Sequence, residues 1–353
     1  MIINSSKIFG GTERWALLVA EQLHAAGHSV FFGYRFEAMK EKAERLGIPS
    51  VYFPMLNDAD FYTIGKMVRF FKSRQIDLVI PTKVKEYWLA TVASRISGTK
   101  AIIRLGIDRP VKDKWKNRMV YGKWSDGIIV NAEAIKSTLI ESSFISPDKI
   151  SVIYNGVHIP DLTPSTNQSG DLIYISVGSL IERKKFDLLL EAFKMVFGQK
   201  TGLPARLWIV GDGPERDRLQ TRVARLGIAD LVKFWGQRND VAALLRKSDV
   251  FILASENEGF PNAGLEAMAF GLPVVLSRVA GAEEIIQPEI NGFLVEPNDV
   301  EQLAAKMALL ATHPEIRARV GRAARQFVEE RCSLKSMLNK MEETFYGILN
   351  ENK

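Results

Sequence analysis

The chain has 353 residues, of which 46% are hydrophobic and 25% are charged, and its formal net charge is +6. This composition is typical of a globular protein, the length allows about two domains, and no apolar run approaches the roughly 18 residues that span a bilayer. The start of the chain lacks a signal-peptide pattern and the single cysteine, Cys332, has no second cysteine for a disulfide, so we expect a cytoplasmic protein.

Charge is unevenly distributed along the chain. Residues 1–160 contain 23 Lys and Arg against 15 Asp and Glu, whereas residues 161–353 contain 24 against 26. A basic first half suits an anionic partner, either a phosphate-bearing substrate or an acidic membrane surface. A solvated basic surface would have the same composition, so both interpretations stay open.

Short β-branched runs alternate with helical patterns along both halves. MIIN, HSVFFGY, IDLVIPT, AIIRLG and DGIIVNA form the first series, and LIYISVGS, ARLWIVGDG, LVKFWGQ, DVFILAS and LPVVLSR form the second. Such alternation predicts parallel sheets covered by helices on both faces. The alternation of strand and helix patterns is interrupted at residues 156–171, which are rich in Pro, Ser, Thr and Asn. We place the linker between the two domains there.

These patterns predict an α/β protein with two Rossmann-like, doubly wound parallel-sheet domains facing a central cleft. The first domain covers residues 1–160 and the second covers residues 161–330. A helix at residues 331–353 could pack back on the first domain.

Gly10 and Gly11 stand between the first strand and its helix. Glycine lets a ligand approach the backbone closely and leaves the helix amides open to a phosphate or an acceptor. Since a Gly-Gly turn alone is weak evidence, an ordinary turn is the alternative.

No metal site is predicted. The D-x-D pair Asp58 and Asp60 has the ligand type of hard cations, but it lies in a first-domain loop far in sequence from the other motifs. The four histidines show no ligand spacing: His24, His28, His158 and His313. We therefore expect no required metal and no cofactor.

Residues 111–124, VKDKWKNRMVYGKW, interleave basic and aromatic side chains. This mixture suits a membrane interface or a phosphate-bearing lipid acceptor, and equally a solvated helix whose aromatic rings face the core. No recognition motif supports a nucleic-acid partner.

In the second domain, GSLIERKKF follows a strand and carries Arg183, Lys184 and Lys185 in succession. Cationic donors stabilise a departing diphosphate, so the triplet is a candidate clamp. A solvated helix start is the alternative.

Glu258 and Glu266 flank a glycine-proline turn between the strand FILAS and a helix predicted to start near Gly264. At this edge of a parallel sheet the helix amides favour an anion, and a carboxylate can accept hydrogen bonds from sugar or ribose hydroxyls. The alternative is that Glu258 faces solvent and Glu266 caps its helix.

The stretch EGFPNAGLEAMAFGLPVV closely resembles the E-x7-E signature of retaining glycosyltransferases of family four, which have the GT-B fold. Other segments resemble the same family, in order, over nearly the whole chain: GGTERWALLVAEQLHAAGHSV, SDGIIVNAEAIKSTL, ISVIYNGV, SVGSLIERKKFDLLLEAF, WIVGDGPERDRLQ, VKFWGQRNDVAALLRKSDVFILAS and NGFLVEP. The resemblance implies hexosyl transfer from a UDP- or GDP-sugar to a glycan or lipid-linked acceptor, in cell-surface polysaccharide or lipopolysaccharide biosynthesis. It assigns the donor mainly to the second domain and the acceptor to the first.

The resemblance also implies residue roles. Glu258 would contact the transferred sugar, and Glu266 would hold the ribose hydroxyls. The turn that binds sugar and phosphate comprises Gly259, Phe260, Pro261, Asn262 and Ala263. The loop beside the nucleotide contains Gly211 and Gly213, and the region that meets the base contains Gln237 and Arg238.

The chain departs from the family pattern at two places. Lys184 matches an expected lysine, but Ser179 stands where the family usually has an arginine, so Arg183 is a candidate substitute. Many relatives have a histidine at the end of the strand AIIRLG, where this chain has Arg104 and Leu105. Arg104 is a candidate acceptor or phosphate ligand, and a surface arginine is the alternative.

Three alternatives to a retaining glycosyltransferase remain. A nucleotide-sugar epimerase of the same fold would need a different signature, and an NAD-dependent enzyme would need a G-x-G-x-x-G after the first strand. A non-catalytic nucleotide-sugar or membrane-surface binding protein is favoured by Ser179. The basic first domain also suits peripheral association with the inner face of a membrane.

Overall fold

The computed structural model describes residues 1–161, 170–198, 204–256 and 260–350. The chain forms two compact units: the first is Met1–Gly156 with Leu334–Lys353, and the second is Val157–Ser333. Over the described ranges, no helix has both the length and the apolar character needed to cross a bilayer.

The first unit contains a sheet of seven strands among the described residues, and every paired neighbour is parallel. Its strands are β1 (Ile2–Asn4), β2 (Phe32–Tyr34), β3 (Ser50–Tyr52), β4 (Leu78–Pro81), β5 (Lys100–Leu105), β6 (Gly127–Val130) and β7 (Ile150–Val152). The spatial order is β3-β2-β1-β4-β5-β6-β7.

Helices cover both faces of this sheet, because successive strand residues point to opposite sides. Ile2 packs in a cluster with Trp15, whereas its neighbour Ile3 packs in another cluster with Phe71. The helices are α1 (Gly11–Ala25), α2 (Glu37–Arg45), α3 (Phe61–Ser73), α4 (Val84–Ser97), α5 (Trp115–Asn117) with the π-helical segment Arg118–Trp124, and α6 (Glu133–Ile140).

The second unit contains a parallel sheet of six described strands in the order β10-β9-β8-β11-β12-β13. The strands are β8 (Leu172–Val177), β9 (Ala205–Val210), β10 (Val232–Gly236), β11 (Val250–Leu253), β12 (Val274–Ser277) and β13 (Phe293–Val295). The helices are α7 (Phe186–Phe197), α8 (Arg216–Leu226), α9 (Val241–Leu245), α10 (Asn262–Ala269), α11 (Ala280–Ile285), α12 (Val300–Thr312) and α13 (Pro314–Arg331).

The last helix, α14 (Leu334–Asn350), belongs to the first unit. Met337, Met341 and Ile348 are buried in the same cluster as Trp15. The ring of His28 also contacts the carboxylate of Glu342 at 2.7 Å. The hydrophobic face of α14 thus completes the core on one side of the first sheet.

In each sheet the chain winds outward in two opposite directions from a central pair of strands. This pair is β1 and β4 in the first unit, and β8 and β11 in the second. The loops that leave such a pair at its carboxyl ends diverge and leave a crevice, where ligands bind in open α/β sheets.

Candidate functional site

At the central strand pair of the second unit, the loop after β8 contacts the loop after β11. The backbone amide of Glu256 donates a hydrogen bond to the carbonyl of Arg183 at 2.8 Å. The ammonium of Lys185 lies 3.2 Å from the Glu256 carboxylate. These contacts fix the predicted basic triplet beside the segment that precedes Glu258.

The basic triplet lies in a single turn of 3-10 helix, Glu182–Lys184, that precedes α7. Arg183 is exposed and Lys184 is half-buried. The Lys184 side chain lies beside Gly178. Its Cε and Nζ atoms would be 3.6 and 3.7 Å from a Cβ added to that glycine. The end of β8 is therefore flanked by a cation, as a diphosphate site requires.

Two predicted glycines allow neighbouring loops to pack backbone against backbone. Gly211 has a φ of +135°, and an added Cβ would collide with the carbonyl of Gly178. A Cβ on Gly213 would collide with the carbonyl of Leu180. Hydrogen bonds from Gly178 to Val210 and from Gly211 to Gly236 continue this packing along the edge of the sheet. The close packing of the loops is therefore sufficient to explain why position 211 is a glycine.

Of the E-x7-E signature, Glu258 and Gly259 lie outside the described residues. Beyond them, Phe260 is 6% exposed, and α10 begins at Asn262, two residues earlier than predicted. Glu266 is therefore the fifth residue of α10, so it does not cap the helix. Its side chain is partly buried.

The position of α10 follows from close packing at Gly264 and from two buried side chains. The side chain of Leu276 packs 3.4 Å from the point where a Cβ on Gly264 would lie. Leu265 and Met268 are fully buried on the same helix. This packing places Pro261, Asn262 and Ala263 at the amino end of α10, where helix amides favour an anion.

Gln237 and Arg238 are exposed just after β10. The Arg238 guanidinium forms two hydrogen bonds with Asp240, at 2.7 and 2.6 Å, and lies 5.4 Å from the ring centroid of Trp235. The hydrogen bond with Asp240 raises the pKa of Arg238 and lowers the pKa of Asp240. The arginine is thus held beside an indole, in a position where an aromatic base could also pack.

The first-unit candidates Gly10 and Gly11 are both exposed at the start of α1. The amide of Gly10 donates to the Glu13 carboxylate at 2.9 Å. Burial favours a higher pKa for Glu13, but the hydrogen bond and charge of Lys83, 2.7 Å away, hold that pKa below its usual value. The glycine turn is therefore anchored by its own helix.

Sequence reasoning missed a polar network at the central strand pair of the first unit. Asn4, which ends β1, donates to the hydroxyl of Thr82 at 2.9 Å. The buried carboxylate of Glu86 accepts the amides of Ser5, Thr82 and Lys83. Burial raises the pKa of Glu86 to about 7. The capping-box spacing from Lys83 to Glu86 is the one signal that could have indicated this role.

Arg104 is not a surface arginine. It is 4% exposed, and its guanidinium lies 4.4 Å from the ring centroid of Trp15. Burial lowers its pKa to about 10, so it remains a cation at neutral pH.

The D-x-D pair has structural roles. Asp60 caps α3 by accepting the amide of Thr63 at 2.9 Å, and Asp58 pairs with Lys116. Within residues 1–161, 170–198, 204–256 and 260–350, no cluster of His, Cys, Asp and Glu could hold a metal ion. The absence of a metal requirement stays a prediction.

The basic and aromatic run is partly exposed. Trp115 is 66% exposed, and its ring is tilted against that of Trp88 with the centroids 5.6 Å apart. The ring centroid of Trp124 lies 5.3 Å from that of Trp88. Tyr121 is buried. The run is thus neither a fully solvated helix nor a core element, and its membrane role stays a prediction.

Comparison with known families identifies both units. Residues 9–159 match the family described as Glycosyltransferase Family 4, and residues 161–327 match Glycosyl transferases group 1. An uncharacterized glycosyltransferase of Haemophilus influenzae is 28% identical, over 91% of this chain and 92% of its own length. The UDP-Gal:alpha-D-GlcNAc-diphosphoundecaprenol alpha-1,3-galactosyltransferase of Escherichia coli is 28% identical, over 69% and 68% of the two chains.

Among solved structures, Anabaena Alr3699/HepE in complex with UDP superposes with a TM-score of 0.87 at 22% identity, covering 98% of this chain and 99% of that chain. The same Anabaena protein has also been solved with UDP-glucose. The predicted GT-B fold, built from two doubly wound parallel-sheet units, is confirmed.

Proposed function

Because this chain belongs to glycosyltransferase family 4, we propose that it transfers a hexose from a nucleotide diphosphate sugar to a hydroxyl of a glycan or lipid-linked acceptor, with retention of the anomeric configuration. The donor binds the second unit and the acceptor binds the first. One observation carries the donor site: the contact between Glu256 and Arg183, which holds a cationic loop against the segment before α10.

The donor site uses groups on three elements. Lys184 and Arg183 face the diphosphate, the amino end of α10 adds helix amides, and Glu266 accepts the ribose hydroxyls. Gln237 and Arg238 lie where the base of the nucleotide is proposed to bind. Glu258, outside the described residues, is proposed to contact the transferred sugar.

Transfer begins as the bond between the sugar and the diphosphate lengthens. Negative charge then develops on the leaving diphosphate, and Lys184 with Arg183 stabilises it electrostatically. The acceptor hydroxyl attacks the anomeric carbon from the same face, gives its proton to the departing phosphate oxygen and forms the new glycosidic bond. No metal and no cofactor takes part in this scheme.

The acceptor side is proposed in the first unit, with Gly10 and Gly11 after β1 and Arg104 on β5 as its candidate residues. The E. coli relative is named for a diphosphoundecaprenol substrate, and this supports a lipid-linked acceptor at the inner face of a membrane. The exposed Trp115 and neighbouring lysines would contact that anionic surface. The UDP-bound Anabaena structure supports UDP as the donor nucleotide, ahead of GDP.

The first test is thermal stabilisation by UDP, GDP, ADP and their sugars. A nucleotide at 100 times its dissociation constant adds about 2.7 kcal/mol to the free energy of unfolding. We expect one nucleotide to stabilise the wild type and to lose its effect in Glu266→Ala and Lys184→Ala. The controls Glu301→Ala and Lys306→Ala alter α12 and should keep the shift.

Two results would count against the proposal: no shift with any nucleotide, or an equal shift in the site variants and the controls. Binding without sugar transfer to any lipid-linked or glycan acceptor would favour the non-catalytic alternative. The anomeric configuration of a transferred sugar, read by NMR, tests retention.

A further inference from the structure

The guanidinium of Arg104 lies in a closely packed position near the carboxyl end of β5. Arg104 pairs with Ile129 in the register of β5 and β6, so both side chains point to the sheet face that carries Trp15 and α1. Trp15 covers the guanidinium, and a Cβ at Gly106 would collide with it. The glycine at position 106 therefore leaves space for the Arg104 guanidinium in this buried position.

Within the described residues, this buried cation has no hydrogen bond or ion pair through its side chain. Glu13 contributes a favourable charge, but its carboxylate is bonded to Lys83 and to the amide of Gly10. A buried charge that forms no hydrogen bond to the protein is costly in free energy, and ionisable groups of this kind cluster at functional sites.

A buried acceptor without a hydrogen-bond partner in the described part of the chain lies just after the neighbouring strand, β6. Asn131 is 3% exposed, and its Oδ1 has no hydrogen-bond partner among the described residues. It directly follows Val130, which pairs with Leu105. If the alternation of the strands continues for one more residue, the Asn131 side chain faces the same side of the sheet as Arg104. One buried acceptor without a partner thus accompanies a guanidinium that forms no hydrogen bond to the described residues.

The amino end of α1 lies over the same face of the sheet. Trp15, which touches the guanidinium, is only four residues from Gly11, the first residue of this 15-residue helix. A side chain at Gly11 would meet nothing within 4 Å, so the space beside the helix end is open. Helix amides at such an end favour an anion.

We propose that Arg104 and Asn131 form a specificity subsite for an anionic group of the acceptor, a carboxylate or a phosphate, together with a neighbouring hydroxyl. This inference rests on the proposed function, since it places the acceptor in the first unit. The planar guanidinium donates two parallel hydrogen bonds to the anion, and Asn131 Oδ1 accepts one from the hydroxyl. The acceptor is therefore an acidic or phosphorylated sugar or polyol rather than a neutral one.

Calorimetric titration with three probes of one ring size tests this subsite: glucose, glucuronate and glucose 6-phosphate. Each is added with and without saturating UDP. We expect the wild type to bind at least one anionic probe and not glucose. Binding of glucuronate alone identifies a carboxylate, and binding of glucose 6-phosphate alone identifies a phosphate.

Arg104→Gln should weaken the anionic probe at least about tenfold, which corresponds to about 1.4 kcal/mol. The matched control is Arg95→Gln, which removes the same charge from an exposed position on α4 and should bind as the wild type does. Without ligand, Arg104→Gln should raise the unfolding midpoint, because an unpaired buried charge is removed. An arginine needed only for folding would give a lower midpoint.

Asn131→Asp serves as a second variant if Arg104→Gln does not fold. Its carboxylate would repel the probe anion and should abolish binding while the protein stays folded. The proposal is overturned if no anionic probe binds the wild type in either condition, or if both variants bind like the wild type. UDP binding is measured in the same titrations. If UDP binds but glucuronate and glucose 6-phosphate do not, only this inference fails. If UDP does not bind either, the result also counts against the proposed function.

Discussion

The backbone amide of Glu256 donates a hydrogen bond to the carbonyl oxygen of Arg183 at 2.8 Å, and this bond joins two loops that begin on the neighbouring strands β11 and β8. The ion pair between Glu256 and Lys185 reinforces it. The loop that carries the proposed diphosphate cations is therefore positioned by the same segment that leads to Glu258, the residue proposed to contact the transferred sugar.

Removing the Lys185 side chain should impair function more than stability. The pair with Glu256 is partly exposed, so Lys185→Ala should lower the free energy of unfolding by at most about 1 kcal/mol. A displaced cationic loop should lower the transfer rate by on the order of tenfold. The measurements are urea unfolding and initial rates with a saturating donor.

Lys306→Ala is the matched control, because Lys306 pairs with Glu289 at the same distance of 3.2 Å, away from the loops after β8 and β11. Equal rate losses in the two variants would show that the Lys185 contact does not position the loop.

Gly211→Ala should destabilise the second unit. Its backbone has a φ of +135° and an added Cβ would meet the carbonyl of Gly178, so we expect a loss of about 1–3 kcal/mol and weaker nucleotide binding. Gly227→Ala is the control, because its φ is +69° and no atom lies within 4 Å of an added Cβ. If both substitutions had the same small cost in urea unfolding, the close packing of the loops would be refuted.

Stability should depend on pH through Glu86. Burial raises its pKa in the folded state from the ordinary 4.5 to about 7, so the folded protein binds the proton more tightly than the unfolded chain does. The resulting stability is complete below pH 4.5 and is lost as the pH rises to about 7. The expected loss for this group is on the order of 3 kcal/mol.

Urea unfolding at a series of pH values measures this slope in the wild type and in Glu86→Gln, which cannot titrate. The exposed Glu21→Gln on α1 should keep the wild-type slope. A slope that survives in Glu86→Gln would assign the pH dependence to other groups.

Truncation of Met341 should test whether α14 is part of the core of the first unit. Met341 is fully buried, so Met341→Ala should cost about 2–5 kcal/mol in urea unfolding. Met195→Ala makes the same chemical change at a position that is 55% exposed on α7, and it should cost much less. A small effect at Met341 would mean that α14 detaches without loss of the core.

The sequence predicted the order of the strands along the chain because the hydrophobic pattern is local. The run AIIRLG and the run DVFILAS each became a strand within a residue or two of its predicted place. The sequence predicts that α10 starts near Gly264, two residues after its start at Asn262, because glycine is typical of helix ends. In the structure Gly264 is a close-packing position against Leu276.

By itself, the sequence determined the fold class and the family, because periodicity and motif order need no knowledge of which elements touch. Only the tertiary structure placed Glu256 between Arg183 and Lys185, since neighbouring strands bring together residues about seventy positions apart. Only the tertiary structure showed that Arg104 is buried against Trp15 and that Asn131 Oδ1 has no hydrogen-bond partner among the described residues. Burial and the lack of a partner depend on strand register and helix packing, and a linear pattern does not contain either of them.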